Sequence, residues 1–246
     1  MEFVKNNILQ YREIAHKNII KYIQAEFAES DNQVDILLEY ISTGSIRNLI
    51  DKYGVLKEFL LKIFSRQILE GLNYIHSKGI SHKNLKCSNL LINQDLNVKI
   101  TDFGFINILS KDSDGNPIYN GPPNWVSPEV KIKKVIQNGE FSPSSDIWAF
   151  GCVLLEMLTG NPPWIEEKLE YGKILSKIKE GKNLPTFPAT NPMLENFLKR
   201  CFSLTAKERP SAKELLEDPF LKKSEPETIE IEILNSLSSA LKSGIK

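Results

Sequence analysis

The sequence predicts an α+β fold dominated by helix, and three observations carry that reading. Two runs rich in β-branched and aromatic residues, "IIKYIQAEF" and "VDILLEYI", lie close together near the start, with the turn signal "ESDNQ" between them. Beyond them apolar residues recur at helical spacing, most clearly from Lys57 to Ser77. A later segment, "SDIWAFGCVLLEMLTG", is apolar on nearly every face, the pattern of a helix buried all round.

The elements follow in order. Ile8, Tyr11, Ile14 and Ala15 fall near helical spacing, so the chain opens on a helix that "AHKN" closes. The two β-rich runs then form a hairpin. "STGS" is a loop, and a short helix runs to about Asp51. Leu60, Ile63, Phe64, Ile68, Leu72 and Ile75 mark one face of a long amphipathic helix, which Lys78-Gly79 stops. "LLI" and "VKI" flank "NQDLN" as a small hairpin. Residues 102 to 143 read as loop-rich, punctuated by "DSDGNP" and "NGPPN". After the buried helix, "YGKILSKIKEG" and "PMLENFLKRCFS" have helical periodicity, and "PSAKELLEDPF" carries a proline near its start. "PETIEIEILNSLSSALKSGIK" reads as a further helix or a frayed tail.

A chain of 246 residues is long enough for one large domain or two small lobes. Acids and bases balance at 31 each, which gives no basis for strong attraction to nucleic acid or membrane. No apolar run reaches the roughly 18 residues of a membrane span. The opening "MEFVKNNILQYREI" lacks the apolar core of a secretion signal. The three cysteines, Cys87, Cys152 and Cys201, form neither a disulfide framework nor a zinc spacing, and point to a reducing, cytoplasmic setting.

Several motifs, in order, resemble the protein kinase family. The family loop H-R-D-L-K-x-x-N stands here as His82, Lys83, Asn84, Leu85, Lys86, Cys87, Ser88, Asn89. D-F-G is Asp102, Phe103 and Gly104; the A-P-E signature is Ser127, Pro128 and Glu129. "SSDIWAFGCVLLEMLTGNPPW" matches the family's buried central helix, with Asp146 and Gly151, and "KERPSAKELLEDPF" supplies Arg209 as the partner of that Glu. "EIAHKNIIKYIQ" and "LLEYISTGSIRNLIDKYG" are most similar to Ser/Thr kinases that act on other kinases in MAP-kinase cascades, the STE group. The resemblance implies a kinase-like fold. Residues 1–41 would be a reduced first lobe of one helix and about two strands, 42–221 a mostly helical second lobe, and 222–246 a tail.

The resemblance also implies ATP and magnesium as cofactors. Asn89 and Asp102 fall at the metal positions, and hard oxygen ligands suit magnesium. Lys86 falls at the position that contacts the transferring phosphate. Leu38 matches the gatekeeper, Glu39 to Ile41 the adenine-binding hinge, and Leu91 the residue beneath the adenine. Several have an ordinary structural alternative: Asp102 capping a turn, Asn89 bonding loop backbone, Lys86 as a solvated loop lysine, Leu38 and Leu91 packing in a core.

The departures from the family concern the reaction itself. Asn84 stands where the family has its catalytic Asp. An amide oxygen is essentially non-basic and the amide nitrogen donates, whereas general-base catalysis contributes about 10²–10⁴-fold. Pro122 stands where a Thr hydroxyl bonds that Asp and the loop Lys. Asn7 takes the place of the Glu that pairs with a strand Lys, and only six residues precede it, without the Gly-rich loop or that Lys. Lys83 replaces an Arg that often clamps a phosphate, keeping charge without the bidentate fork; Ser110, Ser113 and Tyr119 are acceptors by type.

These features imply a pseudokinase, an interaction or regulatory module with weak or absent ATP binding and protein partners, an active kinase among them. The alternatives are a weakly active Ser/Thr kinase and an incomplete chain of such a kinase. Two further expectations concern upkeep of the helical lobe: a buried Glu129–Arg209 pair, and Asp146 bonding the backbone of the 82–84 turn. A third is an unpaired strand edge over 34–41 that invites strand addition by a partner.

Overall fold

The computed structural model describes residues 11, 13–28, 33–103, 108–111, 117–119, 123–130, 141–165, 184–222 and 228–243. Strands β1 (Tyr22–Ala28) and β2 (Gln33–Leu38) form an antiparallel pair with Tyr22 opposite Leu38 and Ala25 opposite Ile36. Side chains alternate across the pair. Tyr22 is buried, Ile36 and Leu38 pack against the core, and Leu37 stands 56% exposed on the other face. The strand ends at Leu38, so Glu39 to Ile41 lie beyond it and the edge is shorter than the expected 34–41. Among the described residues β1 is the one strand paired with β2.

Helix α1 (Ile46–Tyr53) starts at a capping box in which Ser45 and Asn48 bond reciprocally, and buries Ile46, Leu49 and Ile50. Helix α2 (Glu58–Ser77) buries Leu60, Leu61, Phe64, Ile68, Leu72 and Ile75. It approaches the β3–β4 hairpin (Leu90–Ile92 and Val98–Ile100) through Gly71, where a Cβ would meet Ile100 Cδ1 at 2.7 Å and Asn18 O at 3.2 Å. That hairpin is stitched to the segment before β1. Ile20 N donates to Ile100 O (2.9 Å), and Ile100 N to Asn18 O (2.8 Å).

The loop-rich expectation for residues 102–143 needs correction. Strands β5 (Ile108–Lys111) and β6 (Pro117–Tyr119) pair antiparallel around the segment of the "DSDGNP" signal. Such short runs carry too little alternation to announce themselves. Helix α3 (Pro143–Thr159) begins with Pro143, whose missing N–H is harmless at a first helical position, and ends at Gly160 in a left-handed conformation. Ser145 through Met157 are all buried, as the all-round apolar pattern predicts. Helix α4 (Pro192–Cys201) packs against α3 and α5 (Ala212–Leu216) against α2, and the two are capped by Asn191 and Ser211. Gly151 of α3 lets α4 close in, since a Cβ there would meet Cys201 Cβ at 2.9 Å.

The tail is a helix, α6 (Thr228–Ser243), and it docks on the lobe. Leu241 is buried, Leu234 and Leu237 pack against the core, Ser238 Oγ donates to Gln94 O (2.7 Å), and Lys242 pairs with Asp95 (3.5 Å). The helix expected over "YGKILSKIKEG" and, apart from Tyr11, the face of the opening helix before Glu13 lie outside the described residues.

Candidate active site

The loop from Ser81 to Asn89 is held from below by the first turn of α3. His82 N donates to Asp146 Oδ2 (2.7 Å) and Lys83 N to Asp146 Oδ1 (2.9 Å), as expected for the 82–84 turn. His76 Nε2, at the end of α2, meets the same Oδ2 at 2.8 Å. Asp146 is buried, so this one carboxylate draws α2, α3 and the loop together. The two amide bonds hold Lys83 at φ 69°, a left-handed conformation that a non-glycine residue keeps only when its surroundings impose it.

The loop's two asparagines face each other through one bond: Asn89 Nδ2 donates to Asn84 O (2.8 Å). This fixes the Asn89 amide and leaves its oxygen as the acceptor for a ligand. Thr101 N donates to Asn89 O (3.0 Å), which sets Asp102 beside Asn89. Asp102 is exposed at φ 57°. Asn84 donates its backbone N–H to His82 Nδ1 (3.2 Å), and its half-buried side chain has no partner among the described residues. Lys86 is half-buried and likewise unpaired among them. Asn7, Gly104 and Pro122 lie outside the described residues.

Phe103 is fully buried in an aromatic column. Its ring lies 4.8 Å from Tyr11, 5.5 Å from Tyr22 and 6.5 Å from His82, all three edge-on. Burial lowers the His82 pKa below its ordinary 6.5, so the ring is neutral and its Nδ1 accepts from Asn84. Burial pushes Tyr11 up to about 12 and raises Tyr22 further. Sequence reading missed this column and the His76 contact. The two tyrosines belong to different elements, and no spacing rule links them to Phe103.

On the hinge side, Leu38, Ile41 and Leu91 are partly buried and pack against the core. Glu39 is folded inward. Its Oε1 accepts from Lys21 N (3.0 Å) and pairs with Lys99 Nζ (2.8 Å), while its own N–H donates to Lys21 O (2.9 Å). The segment after it joins β3 through Ile92 N donating to Gly44 O (2.9 Å).

The expected Glu129–Arg209 pair is present and bidentate, at 2.6 and 2.7 Å. The Arg209 side chain is fully buried; Glu129 keeps 26% of its side chain exposed. Arg209 also donates to Ser144 O and Ser203 O and stacks over Trp148. Partial burial pushes the Glu129 carboxyl up, but the Arg209 hydrogen bonds and charge outweigh it and hold it below the ordinary 4.5.

Residues 3–221 match the protein kinase domain family. The chain belongs to that family. This kinase domain is 38% identical over 231 residues to MAP kinase kinase kinase mkh1 of Schizosaccharomyces pombe, covering 90% of this chain and 20% of that protein. It is 37% identical to Serine/threonine-protein kinase BCK1/SLK1/SSP31 of Saccharomyces cerevisiae, over 89% of this chain and 15% of that protein. Mitogen-activated protein kinase kinase kinase A of Dictyostelium discoideum is 35% identical, over 89% of this chain and 23% of its own length. The chain thus spans about a fifth of the length of these relatives. Among solved structures, Rad53 1-466 in complex with AMP-PNP matches with a TM-score of 0.73 at 26% identity, over 90% of this chain and 55% of that one. The expected kinase fold and the resemblance to kinases of the MAP-kinase cascades are both borne out.

Proposed function

We propose that this kinase domain works as an interaction or regulatory module in kinase signalling rather than by transferring phosphate. The observation that carries the reading is Asn84. Its backbone sits in an ordered loop, tied to His82 and Asn89, yet its side chain is an amide where a proton acceptor is needed. Architecture is maintained around it: Asp146 anchors the loop, Arg209 holds Glu129, and the Phe103 column is packed. The protein partner is an active kinase, and the setting is cytoplasmic. Residues 1–41, 42–221 and 222–246 serve as first lobe, helical lobe and tail. Among the described residues β2 has no strand on the side away from β1, and that side is the place for a partner strand.

Asn89 and Asp102 fit a magnesium site by donor type, since both offer hard oxygens. There they would hold the ion, which when bound neutralises phosphate charge. Lys86 would face the transferred phosphate, and Leu38, Glu39, Ile41 and Leu91 the adenine. We expect ATP with magnesium to bind weakly or not at all; micromolar affinity by calorimetry would overturn this.

The second reading, a weakly active Ser/Thr kinase, is favoured by the retention of Lys86, Asn89 and Asp102. An in vitro phosphorylation assay on a protein substrate separates the two. The first reading expects incorporation no higher than in Asp102→Ala. Incorporation above that variant establishes the second.

A further inference from the structure

A groove of about 620 Å³ lies between α2 and the first half of α6. It stays open because α6 is fastened by its second half, through buried Leu241 and through Ser238 and Lys242 at the β3–β4 turn. The α2 wall runs from Glu58 to Glu70, about 18 Å of helix. Phe59, Ile63 and Leu234, all only partly buried, give the groove an apolar floor. The charges along it are unevenly matched. Lys17 pairs with Glu70 (2.7 Å) and Lys62 with Glu58 (2.9 Å), and Glu230 is not free either. Two cations of the lining have no carboxylate among the described residues. Arg66 donates to a backbone carbonyl, Leu221 O, and exposed Lys222 follows that residue in the chain. The Arg66 fork therefore keeps donors for a carboxylate. An apolar floor thus adjoins two uncompensated positive charges.

The complement of that groove is present in the same chain. Helix α6 sits on the lobe by the face of Leu234, Leu237 and Leu241. Ile229, Glu232 and Ile233, spaced i, i+3 and i+4, share a different face. Ile229 is 64% exposed, Ile233 is half-buried, and Glu232 is exposed and unpaired among the described residues. That face offers two apolar side chains one turn apart with a carboxylate beside them. We infer that two copies of this chain associate by exchanging these features, each laying the first half of α6 into the groove of the other. Ile229 and Ile233 of one copy lie on the Phe59, Ile63 and Leu234 floor of the second, and Glu232 meets Arg66 and Lys222. The exchange is reciprocal, so the interface is isologous and closes at a dimer. Such a dimer is independent of the interaction reading above, since phosphate transfer would neither require nor prevent it.

Analytical ultracentrifugation of the full chain over a concentration series tests this. The wild type should show a monomer–dimer equilibrium that weakens as salt is raised. Ile229→Ser, Lys222→Glu and Glu232→Lys alter exposed side chains and should each weaken the dimer roughly tenfold or more. The decisive sample mixes Lys222→Glu with Glu232→Lys. Each alone sets like charges against each other, whereas the mixed pair restores opposite charges, so the mixture should dimerise more tightly than either variant by itself. In the wild type, the Ile63 methyl resonance should shift with protein concentration. A monomer up to millimolar concentration would overturn the inference and leave the groove to another protein or to no ligand. A dimer that Ile229→Ser leaves intact, or a mixture no tighter than its components, would overturn it as well. Should a variant fail to melt cooperatively, the wild type decides: dimerisation with an unmoved Ile63 signal contradicts an interface in this groove. Phosphate transfer from ATP to a protein substrate would sink the interaction reading, whereas absence of both transfer and dimer would sink only this inference.

Discussion

Asn84 and Asp146 show how differently two residues of one loop system weigh. Asp146 is a buried carboxylate with three partners, and removing it orphans two backbone N–H groups and a histidine. Asp146→Ala should cost ~3–5 kcal/mol, read from the urea midpoint at unchanged slope. Asn84 has no side-chain bond among the described residues, so Asn84→Asp should leave that midpoint within about 0.5 kcal/mol. It should also leave phosphate incorporation at background, as more than one part of the reaction is altered; restored turnover would show that the base alone was missing. Both residues were legible in the sequence, because the loop motif numbers its members. The orientation of the Asn84 amide was not, since no residue type encodes a missing partner.

The helices were the most legible elements, for reasons visible in α2 and α3. Twenty residues of one-sided periodicity in α2 and the all-round apolar run of α3 outweigh any local ambiguity. The β5–β6 hairpin escaped because strands of four and three residues give no reliable alternation. The tail was undecided between helix and fraying, because what fixes α6 is its contact with the β3–β4 turn, 144 residues away through Ser238 and Gln94. Two predictions belong to this scale. Gly151→Ala should destabilise by ~1–3 kcal/mol, since the added methyl meets Cys201 Cβ at 2.9 Å in a packed core, and thermal melting reads the loss. Deleting α6 should raise amide exchange across the turn at Asn93–Asn97 while leaving α3 protected.

For the whole molecule, acidification should act in two stages. His82 is buried and neutral with a lowered pKa, so the unfolded chain takes up a proton first as pH falls below 6.5. The stability it contributes is present above that value and declines as pH drops, by at most about 1.4 kcal/mol per pH unit. Glu129 is also depressed, through Arg209; its contribution is present above 4.5 and is lost as pH falls through its folded value. Urea titrations from pH 7 to 3 should therefore decline gradually and then steeply, and a flat profile down to pH 5 would contradict the first stage. At the opposite extreme, the aromatic column becomes an optical instrument. The chain has seven tyrosines, and Tyr11 and Tyr22 resist ionisation, Tyr11 until about pH 12. Phenolate absorbance in an alkaline titration should rise early for exposed rings such as Tyr40 and late for these two. The late step is a built-in, label-free signal for whether Phe103 is still packed against them.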